Sequence, residues 1–203
     1  MDSVEFDLGD IRLTIPSMDD VPAIYTACQD PELQRRIPVP VPYLLTHAEG
    51  YVTTFIPRGW SDGTHLTWAI RHNHRFAGIV SLDRIAAGGA AIGYWMDPAF
   101  RSRGIMSRAV PEVVKYAFDD LSLDRLEWRA FAGNKASAAV ASKAGFRFEG
   151  CLRLGAVGRN GREDDWVAGI TSADDRAPQS WSVLGESAHS AASPGGRLPA
   201  HGS

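Results

Sequence analysis

Residues 101–107 read Arg-Ser-Arg-Gly-Ile-Met-Ser, so two cations, two hydroxyls and a glycine share one short turn that runs into an apolar helical pattern. Such a turn presents free backbone N–H groups and the positive end of a helix dipole, the ordinary recipe for holding a phosphate. The N–H groups of Arg101, Ser102, Arg103, Gly104, Ile105, Met106 and Ser107 are the candidate donors, with the Arg101 or Arg103 guanidinium adding charge. The same arginines also suit a plain role as solvated turn charges. Further on, Asn134 and Ser137 stand three residues apart at a helix start, where both residue types cap N–H groups and both can orient a ligand. Glu127, between the turn and that pair, is a candidate proton acceptor, with Asp83 and Asp97 as alternates. Glu127 equally fits a cross-strand ion pair with a nearby arginine.

These residues need elements to hold them. Ala90–Met96 is apolar throughout and reads as a strand buried on both faces, stopped by Asp97-Pro98. From Gly104 to Leu121, Met106, Val110, Val113, Val114, Ala117 and Leu121 form a 3.6-period stripe, interrupted by Pro111, which removes one helical hydrogen bond. Arg125–Phe131 is the next strand, and Asn134 opens a helix that Gly145 closes. Strand, helix and strand in this order predict a parallel pair joined by a right-handed crossover.

Upstream, Ile11–Ile15 alternates as a strand, and helices are expected over Asp20–Gln29, to Arg36, and over Thr46–Phe55 with Thr46 and Glu49 as a capping box. Pro38–Tyr43 must be an extended loop. His65–Arg71 and Arg75–Ile85 read as a meander joined at His72-Asn73-His74. Downstream, Arg147–Leu154 and Asp164–Ile170 pair around Arg159-Asn160-Gly161. Residues 1–171 therefore form one domain. Residues 172–203 read as a disordered tail, because little in them can be buried, with docking of Trp181, Val183 and Leu184 onto the domain as the alternative.

The chain has 203 residues, 44% hydrophobic and 22% charged, with a formal net charge of -3. That is ordinary for a globular domain, and its sign argues against nucleic acid as a partner. Cys28 and Cys151 are too few for a disulfide framework and fit a reducing cytoplasm. The N-terminal stretch MDSVEFDLGD lacks the apolar core of a signal peptide. No apolar run reaches the roughly 18 residues of a membrane span, so no membrane association is expected. No histidine spacing suggests a metal site.

Taken together, Gly93-Tyr94-Trp95-Met96-Asp97-Pro98 leading to Arg101-x-x-Gly104, then Asn134-x-x-Ser137, then Lys143-Ala144-Gly145-Phe146-x-x-Glu149-Gly150, resemble the GNAT superfamily of acyl-CoA-dependent N-acetyltransferases. The likeness covers about Ile11 to Ile170 and leans toward the ribosomal-protein-alanine/serine N-acetyltransferases. The resemblance implies an α/β fold, a mixed, mostly antiparallel sheet of six to seven strands with a splayed parallel pair and helices on both faces. It implies acetyl-CoA as cosubstrate, no metal, a primary amine as acceptor and a monomer or homodimer.

By resemblance, Trp95 and Met96 flank a slot for the pantetheine arm, Lys143 joins the cofactor-binding residues, and Ser137 hydrogen-bonds the cofactor sulfur. The family's phosphate turn carries a small residue where Met106 stands, which predicts that the Met106 side chain turns into the core. Some relatives place a glutamate base on the strand after Glu149-Gly150, but here that strand reads Cys151-Leu152-Arg153-Leu154-Gly155-Ala156. The acceptor side would be lined by the first helices, the Pro38–Tyr43 loop and the loop after Leu154, with Tyr43, Tyr51 and Trp60 as groove candidates. A protein N-terminal amine is the favoured acceptor. A small amine such as a polyamine, amino acid or aminoglycoside is the alternative, and a non-catalytic CoA-binding module the third reading.

Overall fold

Alternating apolar residues build the sheet, and an apolar helical stripe covers one face of it. The computed structural model describes residues 3–185. The first strands are β1 (Phe6–Asp7) and β2 (Ile11–Thr14), in which Ile11 and Leu13 are fully buried. Next come α1 (Val21–Ala27) and α2 (Pro31–Arg36), the latter capped by Asp30, whose Oδ2 accepts from the Leu33 N–H at 3.2 Å. Arg71 anchors this region to the sheet, donating through both terminal nitrogens to the buried Asp20 carboxylate at 2.9 Å.

The next helix departs from expectation. It starts as α3 (Leu45–Gly50), passes through a π-helical turn (Tyr51–Phe55) and continues as α4 (Ile56–Asp62). Its N-cap position is Leu44, and His47 in the first turn reaches back so that its Nδ1 accepts from the Leu44 N–H at 3.0 Å, in place of Thr46 with Glu49. The π turn accommodates an extra residue, so the helix carries on past Phe55.

Strands β3 (Leu66–His72), β4 (Arg75–Ala86) and β5 (Gly89–Met96) follow as a meander, then α5 (Ile105–Asp119), β6 (Arg125–Phe131), α6 (Lys135–Lys143), β7 (Arg147–Gly158) and β8 (Gly161–Thr171). The sheet order is β1-β2-β3-β4-β5-β6-β8-β7, with only β5 and β6 parallel. It has eight strands, not six or seven, because two-residue β1 pairs with β2 through Phe6–Leu13, too short a pairing to read from periodicity.

Helix α5 lies on one face and buries Ile105, Ala109, Val110, Val113, Val114 and Ala117 against it. Each larger side chain removed from water this way contributes roughly 1.5–3 kcal/mol. Helices α1 and α3 cover the other face with a second core around Ile24, Leu33, Val52, Ala69 and Ile79.

Strands β5 and β6 pair only from Gly89–Arg125 to Ala91–Glu127 and then part. Beyond that point β6 stays with β8 and β5 with β4. Residues 93–96 are therefore only half-buried, contrary to a strand buried on both faces, because one edge of β5 opens onto a gap.

The reading of a tail from residue 172 is corrected as far as Gly185. Trp181 is 3% exposed, its Nε1 donates to the Phe146 carbonyl at 2.9 Å, and its ring packs on Trp128 and Phe148 at 5.4 Å each. One large aromatic outweighs the polar composition around it. Residues 186–203, the rest of the expected tail, lie outside the described residues.

Candidate active site

The gap between the diverging strands becomes a cavity of about 690 Å³, within the range that holds a small-molecule ligand. It opens at the C-terminal ends of the parallel pair, where both crossovers begin, the usual place for a ligand in such sheets. One wall is β5 from Ile92 to Met96, another is β6 at Trp128–Ala130, and the starts of α5 and α6 close the top.

At the start of α5, Ser102 (φ 60°) and Gly104 (φ 74°) both adopt left-handed backbone. Alternation of left- and right-handed residues turns successive N–H groups toward one point and makes an anion-binding concavity. No side chain caps α5. A Cβ on Gly104 would meet nothing within 4 Å, so the glycine serves conformation and open space, not packing.

Arg103 stacks over the Phe100 ring at 5.5 Å, which steadies a flexible cation beside the turn. Arg101 reaches across the cavity to Asp30, the cap of α2. Partial burial pushes the Asp30 carboxyl up, but Arg101 and the local N–H donors outweigh this and hold it below the ordinary value. Met106 is 6% exposed within the main core while still bordering the cavity.

Under the turn, α6 brings Asn134 and Ser137 to the same cavity. Asn134 Oδ1 accepts from the Ser137 N–H at 3.3 Å, so it caps the helix and lines the site at once. Ser137 Oγ accepts from Trp128 Nε1 at 3.1 Å, and its carbonyl accepts from the Tyr94 hydroxyl at 2.8 Å. Burial pushes the Tyr94 phenol up, so it stays neutral and donates. Trp95, Met96, residues 101–107, Asn134, Ser137 and Lys143 all border this one cavity, although they come from four separate stretches of chain.

Glu127 does not border it. Its carboxylate is held by Arg84 at 3.3 Å, the cross-strand pair that its strand position allows. Asp97 accepts from the Ala99 N–H at 2.7 Å as a turn cap. Asp83 is different. It is opposite Ala91 in the ladder and so shares the face of Gly93, which borders the cavity, and its Oδ2 stands 3.2 Å from where a Gly93 Cβ would be. Burial raises its pKa above the ordinary 3.8, partly offset by the Ser81 hydroxyl that donates to it at 2.8 Å.

Tyr43 and Trp60, groove candidates from the sequence, are instead core residues at 5% and 6% exposure. Sequence reasoning passed over Trp128, Arg36, Arg84 and Arg129. Trp128 was detectable only as an alternate position of β6, and the arginines only once the chain is folded. Among the described residues, no group of three or more His, Cys, Asp or Glu could hold a metal ion, and no helix is long and apolar enough to cross a membrane.

A family model described as "Acetyltransferase (GNAT) domain" matches residues 10–147. Among curated proteins, the chain is 41% identical over 104 residues to the Bacillus subtilis (strain 168) protein named "Probable N-acetyltransferase YjcK", covering 50% of this chain and 58% of the relative. It is 28% identical over 112 residues to the ribosomal-protein-serine acetyltransferase of Escherichia coli (strain K12), covering 54% and 55%. The chain thus spans little more than half the length of these curated relatives. Among solved structures, the microcin C7 self immunity acetyltransferase MccE, in complex with acetyl-CoA and AMP, superimposes with a TM-score of 0.74 at 20% identity, over 80% of this chain and 92% of that one. At that identity the likeness concerns the fold alone.

Proposed function

The chain belongs to the GNAT acetyltransferase family, and from that premise we propose that it transfers an acetyl group from acetyl-CoA to a primary amine, foremost the α-amine of a protein N-terminus. The observation that carries this reading is the uncapped start of α5 facing the parted strands β5 and β6, with Ser137 in the same cavity. The turn from Arg101 to Ser107 suits the pyrophosphate, and Lys143 suits a further phosphate or the outer rim. The free edge of β5 suits the pantetheine amides, which would pair there as an added strand. A backbone N–H near Trp95 or Met96 would polarise the thioester carbonyl.

In the reaction the amine nitrogen attacks the thioester carbon, the C–N bond forms, the C–S bond breaks and the thiolate leaves. An α-amine has a pKa of about 7.7–8.0, so an appreciable fraction is neutral near pH 7 and a weak base suffices. We assign that base to Asp83, directly or through one water, because it sits beside Gly93 while Glu127 is tied to Arg84. Ser137 donates its hydroxyl hydrogen toward the departing sulfur.

Transfer to a small-molecule amine is the second reading. It is supported by MccE, whose complex contains AMP as well as acetyl-CoA. Thiol release from acetyl-CoA, measured against short peptides beginning Ala, Ser, Thr or Met and against small amines, tests both. Peptide-driven release supports the first reading and release only with small amines the second. Acetyl-CoA binding without release from any acceptor overturns both in favour of a binding module.

A further inference from the structure

Next to the main cavity is a second space of about 290 Å³ between α2, the end of β6, the β4 bulge and the β7–β8 hairpin. The two spaces share Arg36, Arg129 and Ala130 in their linings, so they are neighbours. The smaller one is bordered by the guanidinium groups of Arg36, Arg84 and Arg129 and by a single carboxylate, Asp165. Asp165 is 3% exposed and already engaged, accepting from Arg129 Nε at 2.7 Å. The partners of the other two arginines, Glu32 for Arg36 and Glu127 for Arg84, do not border this space. Three arginines thus converge on one space, each with one carboxylate partner.

Arg84 gets there by a distortion. In a regular strand it would point away from the Asp83 face. Here β4 bulges between Asp83 and Ala86, and Arg84 adopts a left-handed φ of 55° that non-glycine residues rarely take. Its guanidinium then reaches Glu127, whose register partner Ala91 is itself opposite Asp83. Consecutive residues, an acid and a base, are thus turned toward the same side. The walls are fixed as well: Arg159 at the hairpin turn donates to the Gln34 and Val39 carbonyls at 2.8 Å each, tying the hairpin to α2 and the proline-rich loop.

We infer that this second cavity is a subsite for an anionic group, carboxylate or phosphate, placed a residue or two beyond the acceptor amine. The amine would meet Asp83 while the anion meets Arg84, whose planar guanidinium suits two-oxygen groups, beside Arg129, which gives its Nε and one terminal nitrogen to Asp165. This rests on the acceptor reading above and deepens it. An acidic N-terminal peptide fits, whereas a polyamine or aminoglycoside meets like charge.

The test is calorimetric binding of the peptides Ala-Glu-Glu, Ala-phosphoserine-Gln, Ala-Gln-Gln and Ala-Lys-Lys to the full chain, with and without CoA, alongside thiol release from acetyl-CoA. The anionic peptides should bind roughly tenfold tighter than Ala-Gln-Gln, about one charge-assisted contact, and Ala-Lys-Lys should bind weakest. Arg84→Gln should shrink that advantage about threefold or more, and salt should do the same. Preference for the phosphopeptide or for the glutamate peptide identifies which anion the arginines suit; either supports the subsite. Equal affinity for all four peptides overturns it, even if acetyl transfer proceeds. Anion-selective binding with no thiol release from any peptide leaves the subsite standing and removes the transfer reading instead.

Discussion

Trp128 Nε1 lies 3.1 Å from Ser137 Oγ, and the direction of that hydrogen bond is fixed by chemistry. An indole N–H can only donate, so the serine oxygen must accept, and its own hydrogen remains available for another partner. The Ser137 carbonyl is occupied by Tyr94, which holds the helix start still. The hydroxyl is therefore left as a donor on the cavity side, the polarity a departing thiolate requires. Ser137→Ala is expected to lower kcat on the order of 10²-fold, the low end for a positioned proton donor. The KM for acetyl-CoA should change far less. Trp128→Phe should lower kcat in the same direction, and the double variant should cost less than the sum, since both remove one unit. Additive losses in that cycle would show that Trp128 acts by packing alone.

Gly104 bears on binding. Its φ of 74° is the left-handed region, and the space beside it is open. Gly104→Ala should cost roughly 1–2 kcal/mol of stability from backbone conformation. Any loss of acetyl-CoA affinity beyond that reports a ligand occupying the open space. Gly104→Glu adds a carboxylate at the helix start and should abolish binding by clash and repulsion. Calorimetry with acetyl-CoA checks both, and retained micromolar binding by Gly104→Glu would remove the phosphate assignment from this turn.

How much of this was legible in the sequence follows from which interactions are local. The turn, α5 and the Asn134 cap announce themselves because their signals lie within a few residues. The parting of β5 and β6 came through the resemblance, not the residues, since an apolar strand reads the same whether or not its edge is paired. Arg84, Arg129 and Arg36 come together from β4, β6 and α2, and nothing local marks an arginine as facing a pocket. The bulge that swings Arg84 round has no glycine to flag it. Trp181 could be named from the sequence as able to dock, but not decided. Its neighbours have the composition of a loose tail, and only its contact with Phe146, 35 residues earlier, shows that it is anchored.

Asp83 couples stability and activity with opposite signs. Burial raises its pKa above 3.8, so folding favours the neutral carboxyl. Its favourable contribution is present below the ordinary pKa and lost as pH rises through the raised one. A base must be ionised, so activity runs the other way and is lost as pH falls through the same raised value. Asp83→Asn keeps the shape and stays neutral. It should melt at the same temperature or higher at pH 7, while kcat/KM falls by about 10²–10³. Melting curves and kcat/KM across pH 5–9 check this; unchanged kcat/KM would return the base role to another group.

Trp181 ties the far end of the described chain to the chemistry. It packs on Trp128, and Trp128 holds the Ser137 hydroxyl. Trp181→Ala removes a buried aromatic and one hydrogen bond to Phe146, and should cost about 3–5 kcal/mol of stability. Released from one side, Trp128 gains room to tilt, which lengthens its bond to Ser137. The expected kinetic result at a temperature where the variant is folded is a lower kcat with little change in the KM for acetyl-CoA, the same pattern as Trp128→Phe. Trp181→Phe keeps the ring contact and loses only the N–H bond, so it should cost about 1 kcal/mol and leave kcat close to the parent value. If Trp181→Ala melts earlier yet turns over normally, the residue only seals the core, and the hold on Ser137 comes from Tyr94 and Asn134.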